Sequence, residues 1–140
     1  MLLNLVVSLG IIALLTTIAI PYLRKYQPNL KLNGIARDLT SDLRFAQQLT
    51  VTEQAVHKVK FNLVNNSYQI LKITTATSTV KGVSLDPQIN FQQISGFTNN
   101  EVTFNYYGGV SQAGQIILSN INGLTATINV KPSGYIQLAQ

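Results

Sequence analysis

The sequence predicts an α+β protein: a long N-terminal α-helix, apolar in its first half and amphipathic in its second, packed on a C-terminal antiparallel β-sheet. Three observations predict it. Met1–Leu23 carries no charged side chain, residues 32–49 repeat apolar side chains every three or four positions, and from Val56 the apolar period falls to two. These shifts divide the chain into an apolar half-helix at 1–23, an amphipathic half-helix at 24–52 and an antiparallel β head at 53–140.

The apolar run is long enough to span a bilayer. About 20 helical residues at 1.5 Å each cover a hydrocarbon core of about 30 Å. Twelve Leu, Ile or Val residues lie between Leu2 and Ile20, and at about −0.3 to −0.6 kcal/mol each they favour insertion by about 4 to 7 kcal/mol. Asn4, Ser8, Thr16 and Thr17 reduce that sum, although hydroxyls bond back to helix carbonyls. A secretory signal would have a shorter apolar core, preceding basic residues and a small-residue cleavage site. A core helix would show a polar face. Neither pattern is present.

Pro21 removes one helix hydrogen bond and predicts a kink rather than a stop, and Pro28 predicts a second bend or short break. Beyond them Leu32, Ile35, Ala36, Leu39, Leu43, Ala46 and Leu49 form one apolar stripe. Arg37, Asp38, Ser41, Asp42, Arg44 and Gln48 fill the other side, where Asp38 and Asp42 are expected to pair with basic neighbours on the helix surface. A helix from residue 2 to about residue 51 is about 75 Å long, whereas a compact head of this size is about 30 Å across. Its first half must project while its second half packs.

In the head, His57, Val59, Phe61 and Leu63 alternate with Lys58, Lys60 and Asn62 as a half-buried strand, and Asn65-Asn66-Ser67 turns the chain into a second strand from Tyr68 to Thr75. Residues 76–88 read as a loop, and Ile89–Ile94 is ambiguous. Val102, Phe104 and Tyr106 alternate, Gln115–Ser119 forms a strand, and Asn122-Gly123 signals a type I′ hairpin into Leu124, Ala126, Ile128 and Val130. Pro132-Ser133-Gly134 turns into a last strand at Tyr135, Ile136 and Leu138. Four to seven antiparallel strands are expected, with Leu32, Ile35, Leu39, Leu43 and Ala46 covering their apolar face.

The chemistry is sparse. With 140 residues the chain fits one domain, and without cysteine it has no disulfide, thiolate ligand or thiol nucleophile. Its net charge of +5 reflects few acids, and seven of its ten Lys and Arg residues lie between Arg24 and Lys60. Lys58 and Lys60 are candidate polyanion contacts, with a solvated face as the plainer reading. The single His57 lies on the apolar phase of its strand, where a satisfied or half-exposed structural histidine is expected. No pair of the five acids has hydrolase character, and Gly108-Gly109 and Gly114 fit turns rather than a phosphate loop. Tyr106 and Tyr107 are candidates to stack on a base or sugar, with one of them expected in the core. No catalytic, cofactor-binding or metal site is expected.

LNLVVSLGIIALLTTIAIPYL resembles the N-terminal segment of type IV pilins and pseudopilins, with Pro21 at the family's proline spacing. ARDLTSDLRFAQQLTVTEQ, VTFNYYGG, GQIILSN and TINVKPSGYIQL resemble the helix and C-terminal strands of the H-type pseudopilins of type II secretion and the T-type fimbrial minor pilins. The resemblance implies a pilin fold and a non-enzymatic filament subunit. It implies a single pass in the inner membrane before assembly and a cell-surface or periplasmic filament afterwards. The partners it implies are copies of the same chain or other pilins, the lipid bilayer, and a pilus or secretion machinery. Asn4, Leu5, Leu9, Gly10, Ile12, Ile18 and Pro21 are then the assembly residues. Alternatives are a minor pseudopilin of type II secretion and a minor pilin that binds DNA. Two departures stand out. Asn4 occupies the place of the family's glutamate, which reduces a charge attraction to a hydrogen bond. The basic leader and the glycine before the processing site are missing, with Met1 inside the motif. The sequence starts late, its start is altered, or the subunit assembles differently. Arg24 and Lys25 taken alone place the head on the cytoplasmic side; the family resemblance places it on the other.

Overall fold

A computed structural model of the chain describes residues 1–139. It is α+β: a 52-residue helix α1, Leu2–Glu53, lies on two four-stranded antiparallel sheets. Such a helix is about 78 Å long. It stays helical through Pro21, Gly34 and Pro28, so the expected break at Pro28 does not occur. Each proline costs one local hydrogen bond, and the turns on either side keep the helix continuous. It stops at Gln54, which takes a left-handed conformation (φ 48°) while its own side-chain amide donates to the Val51 carbonyl at 2.7 Å. One of the orphaned C-terminal carbonyls is thereby satisfied.

The strands are β1 (Val56–Asn62), β2 (Ser67–Ile73), β3 (Thr77–Ser84), β4 (Ile89–Ser95), β5 (Glu101–Phe104), β6 (Gly114–Asn120), β7 (Thr125–Val130) and β8 (Ile136–Ala139). One sheet runs β3-β2-β1-β5 and the other β4-β6-β7-β8. Eight strands exceed the expected range because the 76–88 segment is not a loop. Thr77–Ser84 is an edge strand paired antiparallel with β2, the register shifting between Ile70 and Leu71, and almost all of it is exposed. An edge strand with both faces wet needs no apolar alternation, so the period-two signal is absent there. Ile89–Ser95, ambiguous in sequence, is also a strand, with Ile89 and Phe91 buried.

Three hairpin connections share one geometry. At Asn105–Gly109, Asn120–Leu124 and Lys131–Tyr135 the first residue's N–H donates to the fifth residue's carbonyl, and the fourth residue, always glycine, donates back to the first. These are three-residue loops whose glycine takes φ near +81°, the conformation of a type I turn closed by a bulge. Asn122-Gly123 is therefore not a type I′ pair: only Gly123 has positive φ. The side-chain oxygens of Asn105 and Asn120 reinforce their loops, each accepting from the third and fifth residues' N–H groups. Loop formation leaves Tyr106 and Tyr107 at exposed loop positions, so neither is in the core.

The core lies where α1 covers both sheets. Leu32, Ala36, Leu39, Leu43 and Ala46 are buried against Val59, Phe61, Ile70, Phe104, Ile116, Leu118 and Ile128, and Ile35 packs at the margin. Phe61 meets Phe91 edge-on at 5.5 Å, joining β1 of one sheet to β4 of the other. Asn66 ties the sheets together from the β1–β2 turn, donating to the Ile89 carbonyl and accepting from Phe91 N–H.

Candidate functional site

The helix has two unlike halves. Every residue from Met1 to Gln27 is exposed, and burial begins at Pro28. Among the described residues one helix is long and apolar enough to cross a membrane, and none of its apolar window is buried. The window is therefore not covered by the chain's own head. Its polar groups are held within the helix: the hydroxyls of Ser8, Thr16 and Thr17 donate to the carbonyls of Asn4, Ile12 and Ala13 at 2.8, 2.7 and 2.6 Å. Such bonds lower the cost of placing hydroxyls in lipid.

The sequence-identified residues Asn4, Leu5, Leu9, Gly10, Ile12, Ile18 and Pro21 are all exposed on this half. At 100° per residue Leu5, Leu9 and Ile12 lie within an arc of about 60°. Ile18, Gly10 and Pro21 fall on the far side. The set encircles the helix rather than forming one strip, as expected of a rod that is apolar all round. A Cβ at Gly10 would meet nothing within 4 Å. Asn4 is exposed, and its carbonyl accepts the Ser8 hydroxyl.

The second half is fastened to the head by polar contacts as well as by its apolar stripe. Asn29 Oδ1 accepts from the amides of Asn120 (2.8 Å) and Asn122 (3.1 Å), and the Asn122 amide also donates to the Lys25 carbonyl (2.9 Å). Pro28 has no N–H to offer the neighbouring Arg24 carbonyl, so the β6–β7 loop supports the helix where its ladder is incomplete. Lys31 pairs with Asp86 at 2.8 Å, and that ammonium, with the Gln88 N–H, holds the Asp86 carboxyl below its ordinary value. Farther along, the Gln47 amide donates to the carbonyls of Gly108 (2.6 Å) and Gly134 (3.0 Å), and Arg44 donates to the Ile136 carbonyl.

Asp42 departs from expectation. Instead of pairing on the helix surface it is buried, accepting from the Tyr68 hydroxyl at 2.7 Å and from Lys81 at 2.7 and 2.8 Å. Burial, reinforced by the Asp42 carboxylate, pushes the Tyr68 phenol far above its usual range. The exposed edge strand is what brings Lys81 to the helix, a long-range partner that helix spacing does not reveal. His57 is fully buried, with Nδ1 donating to the Ala55 carbonyl and Nε2 at 3.5 Å from the Glu53 carboxylate. Lys72 pairs with Glu53 at 2.7 Å and lowers its pKa.

The two candidate polyanion contacts meet one acid. Lys58 lies 2.8 Å and Lys60 3.3 Å from the Glu101 carboxylate. Burial pushes Glu101 up, but the two ammonium groups outweigh it and hold the carboxyl below its ordinary value. Two cations sharing one carboxylate leave a single net positive charge here, a small footprint for a phosphate backbone. The described residues contain no cluster of three His, Cys, Asp or Glu side chains suited to a metal.

Asn29, Gln47, Asn120 and Asn122 join the helix to the head without any sequence pattern that marks them for it. The repeated Asn-x-x-Gly at Asn105–Gly108 and Asn120–Gly123 was a readable signal for the loops, but nothing local points their side chains or carbonyls toward the helix.

No protein-family model and no curated protein sequence matches the chain. Solved structures do. The minor pseudopilin EpsH from the type 2 secretion system of Vibrio cholerae superposes with a TM-score of 0.68 at 9% identity, over 78% of this chain and 96% of that one. The type IV minor pilin FimU of Pseudomonas aeruginosa superposes with a TM-score of 0.63 at 14% identity, over 82% and 92%. The chain has the fold of these minor pilins and pseudopilins.

Proposed function

We propose that the protein is a structural subunit of a type IV pilus-like filament, held in the inner membrane by residues 1–23 and then polymerised through that same half-helix. The observation that carries the reading is one continuous helix that is exposed through Gln27 and, from Pro28 on, buried along one stripe against the β head. An apolar rod with its hydrogen bonds satisfied internally exchanges lipid for neighbouring helices without unsatisfied backbone groups. The likeness to EpsH and FimU supports a structural rather than an enzymatic role. Filament assembly is preferred over DNA capture because Glu101 engages both Lys58 and Lys60.

Shearing cells and identifying the released filaments by mass spectrometry tests this. The chain is expected in the filament fraction, and Ile12→Asp is expected to remove it while the head still folds. A chain that stays wholly in membranes, with the substitution making no difference, would sink the proposal.

A further inference from the structure

Where the apolar run meets the head, the helix and the β6–β7 loop enclose a cleft of about 430 Å³. Tyr22, Lys25, Tyr26 and Asn29 line it from the helix at i, i+3, i+4 and i+7, and Asn122 and Leu124 close it from the loop. Its floor is fixed, because the Asn122 amide is committed to the Lys25 carbonyl and Asn29 Oδ1. Its walls are not committed: among the described residues the Lys25 ammonium makes no ion pair, and the Tyr22 and Tyr26 hydroxyls make no hydrogen bond within the chain. No carboxylate lines the cleft, and the first acid of the sequence is Asp38. Lys25 and two tyrosines thus line one concave space, with Tyr22 and Tyr26 largely exposed.

Position identifies the occupant. The cleft begins at the end of a helix segment about 33 Å long, which matches the bilayer's hydrocarbon thickness and places the cleft at the depth of the lipid phosphates. Tyrosine rings settle at that interface, and lysine there is drawn to anionic headgroups. We propose that this cleft binds the phosphate headgroup of one anionic phospholipid in the leaflet facing the head, through Lys25, Tyr22 and Tyr26. The lipid seats the head on the bilayer before assembly. The inference rests on the membrane-anchored reading above. Arg24 supplies an internal control, since it carries the same charge at the same depth but lies about 100° around the helix from Lys25 and does not line the cleft.

The full chain is reconstituted in vesicles of phosphatidylcholine alone and of phosphatidylcholine with phosphatidylglycerol, extracted gently, and its retained lipids are counted by native mass spectrometry. One retained phosphatidylglycerol is expected, with Lys25→Gln reducing retention about fivefold, Tyr26→Phe reducing it less, and Arg24→Gln leaving it unchanged. Equal losses in the two charge variants, or insertion without lipid preference, would overturn the cleft and leave the anchor standing. Displacement of the lipid by millimolar inorganic phosphate would assign the site to a free anion and also overturn it. Failure to insert into either vesicle would overturn the anchor and the cleft together. The Lys25 side chain makes no contact that the fold needs, and the circular dichroism of the variants checks that they fold.

Discussion

The two halves of α1 share one secondary structure and meet opposite fates. From Pro28 to Glu53 the helix is buried along one stripe, and from Met1 to Gln27 every residue is exposed, the head reaching it at the Lys25 carbonyl through Asn122. The bare half has the greater apolar content. What it lacks is a polar face, and the contrast shows that sidedness, not apolarity, decides which half docks. Laying an all-apolar rod on a sheet would cover one strip and leave the rest in water, whereas an amphipathic stripe is consumed completely by one sheet surface.

The same truncation made in both halves should have unequal effects. Leu43→Ala, at a fully buried position, is expected to destabilise the head by about 2–5 kcal/mol in thermal or denaturant unfolding. Leu9→Ala should leave the head's unfolding unchanged. An equal loss from both would mean that the two halves are not independent.

Introducing a charge should do the reverse. Ile12→Asp is expected to cost membrane insertion about 2.5–3.5 kcal/mol, read as a shift from membrane to soluble fractions, with the unfolding midpoint of the head unaltered. Next in size is the buried polar tie. Asp42→Ala strands the Tyr68 hydroxyl and is expected to lower stability by about 1–3 kcal/mol, while Tyr68→Phe in the same background recovers part of the loss. A double-mutant cycle measures that coupling.

At the boundary between the halves, Asn122→Ala is expected to cost about 0.5–1.5 kcal/mol and to speed amide exchange around residues 25–29 more than elsewhere in the helix. Uniform exchange would show that the β6–β7 loop does not brace the helix at Pro28. The smallest effect is acid dependence. Because the folded-state pKa of Glu101 is depressed, its stabilising contribution is present above the unfolded carboxylate value, about 4.3, and is lost as pH falls through the lower folded value. Glu101→Gln should flatten the stability profile below about pH 4.3 and leave the position of residues 1–27 untouched.

Much of this architecture was legible because the signals were periodic. The helix stripe at Leu32, Leu39 and Leu43 and the alternation at Val59 and Phe61 report burial on one face, and burial is what selects apolar residues at fixed intervals. β3 was illegible for the converse reason. Thr77–Ser84 is exposed at every residue but Val83, so its strand state comes from pairing with β2 and leaves no pattern in its own residues. Tyr106 was misread by extending the alternation of Val102 and Phe104 past Asn105, where the loop hydrogen bonds turn the chain. Of the candidate interface, the bare apolar residues were evident as a composition, but the neck formed by Asn29, Asn120 and Asn122 joins positions more than 90 apart.

Hydropathy and period in the sequence establish that a long uncharged half-helix precedes an amphipathic one, that a small β head follows, and that the first half cannot be covered by that head. Those conclusions need only hydropathy, periodicity and length, each local in the chain. Only the tertiary structure decided that the strands divide into two sheets, that Asp42 faces inward to Tyr68 and Lys81, that Glu101 engages Lys58 and Lys60, and that Tyr22, Lys25 and Tyr26 share a cleft with the β6–β7 loop. Charge pairs and clefts form between segments distant in sequence, and their partners are chosen by how the sheets pack against the helix.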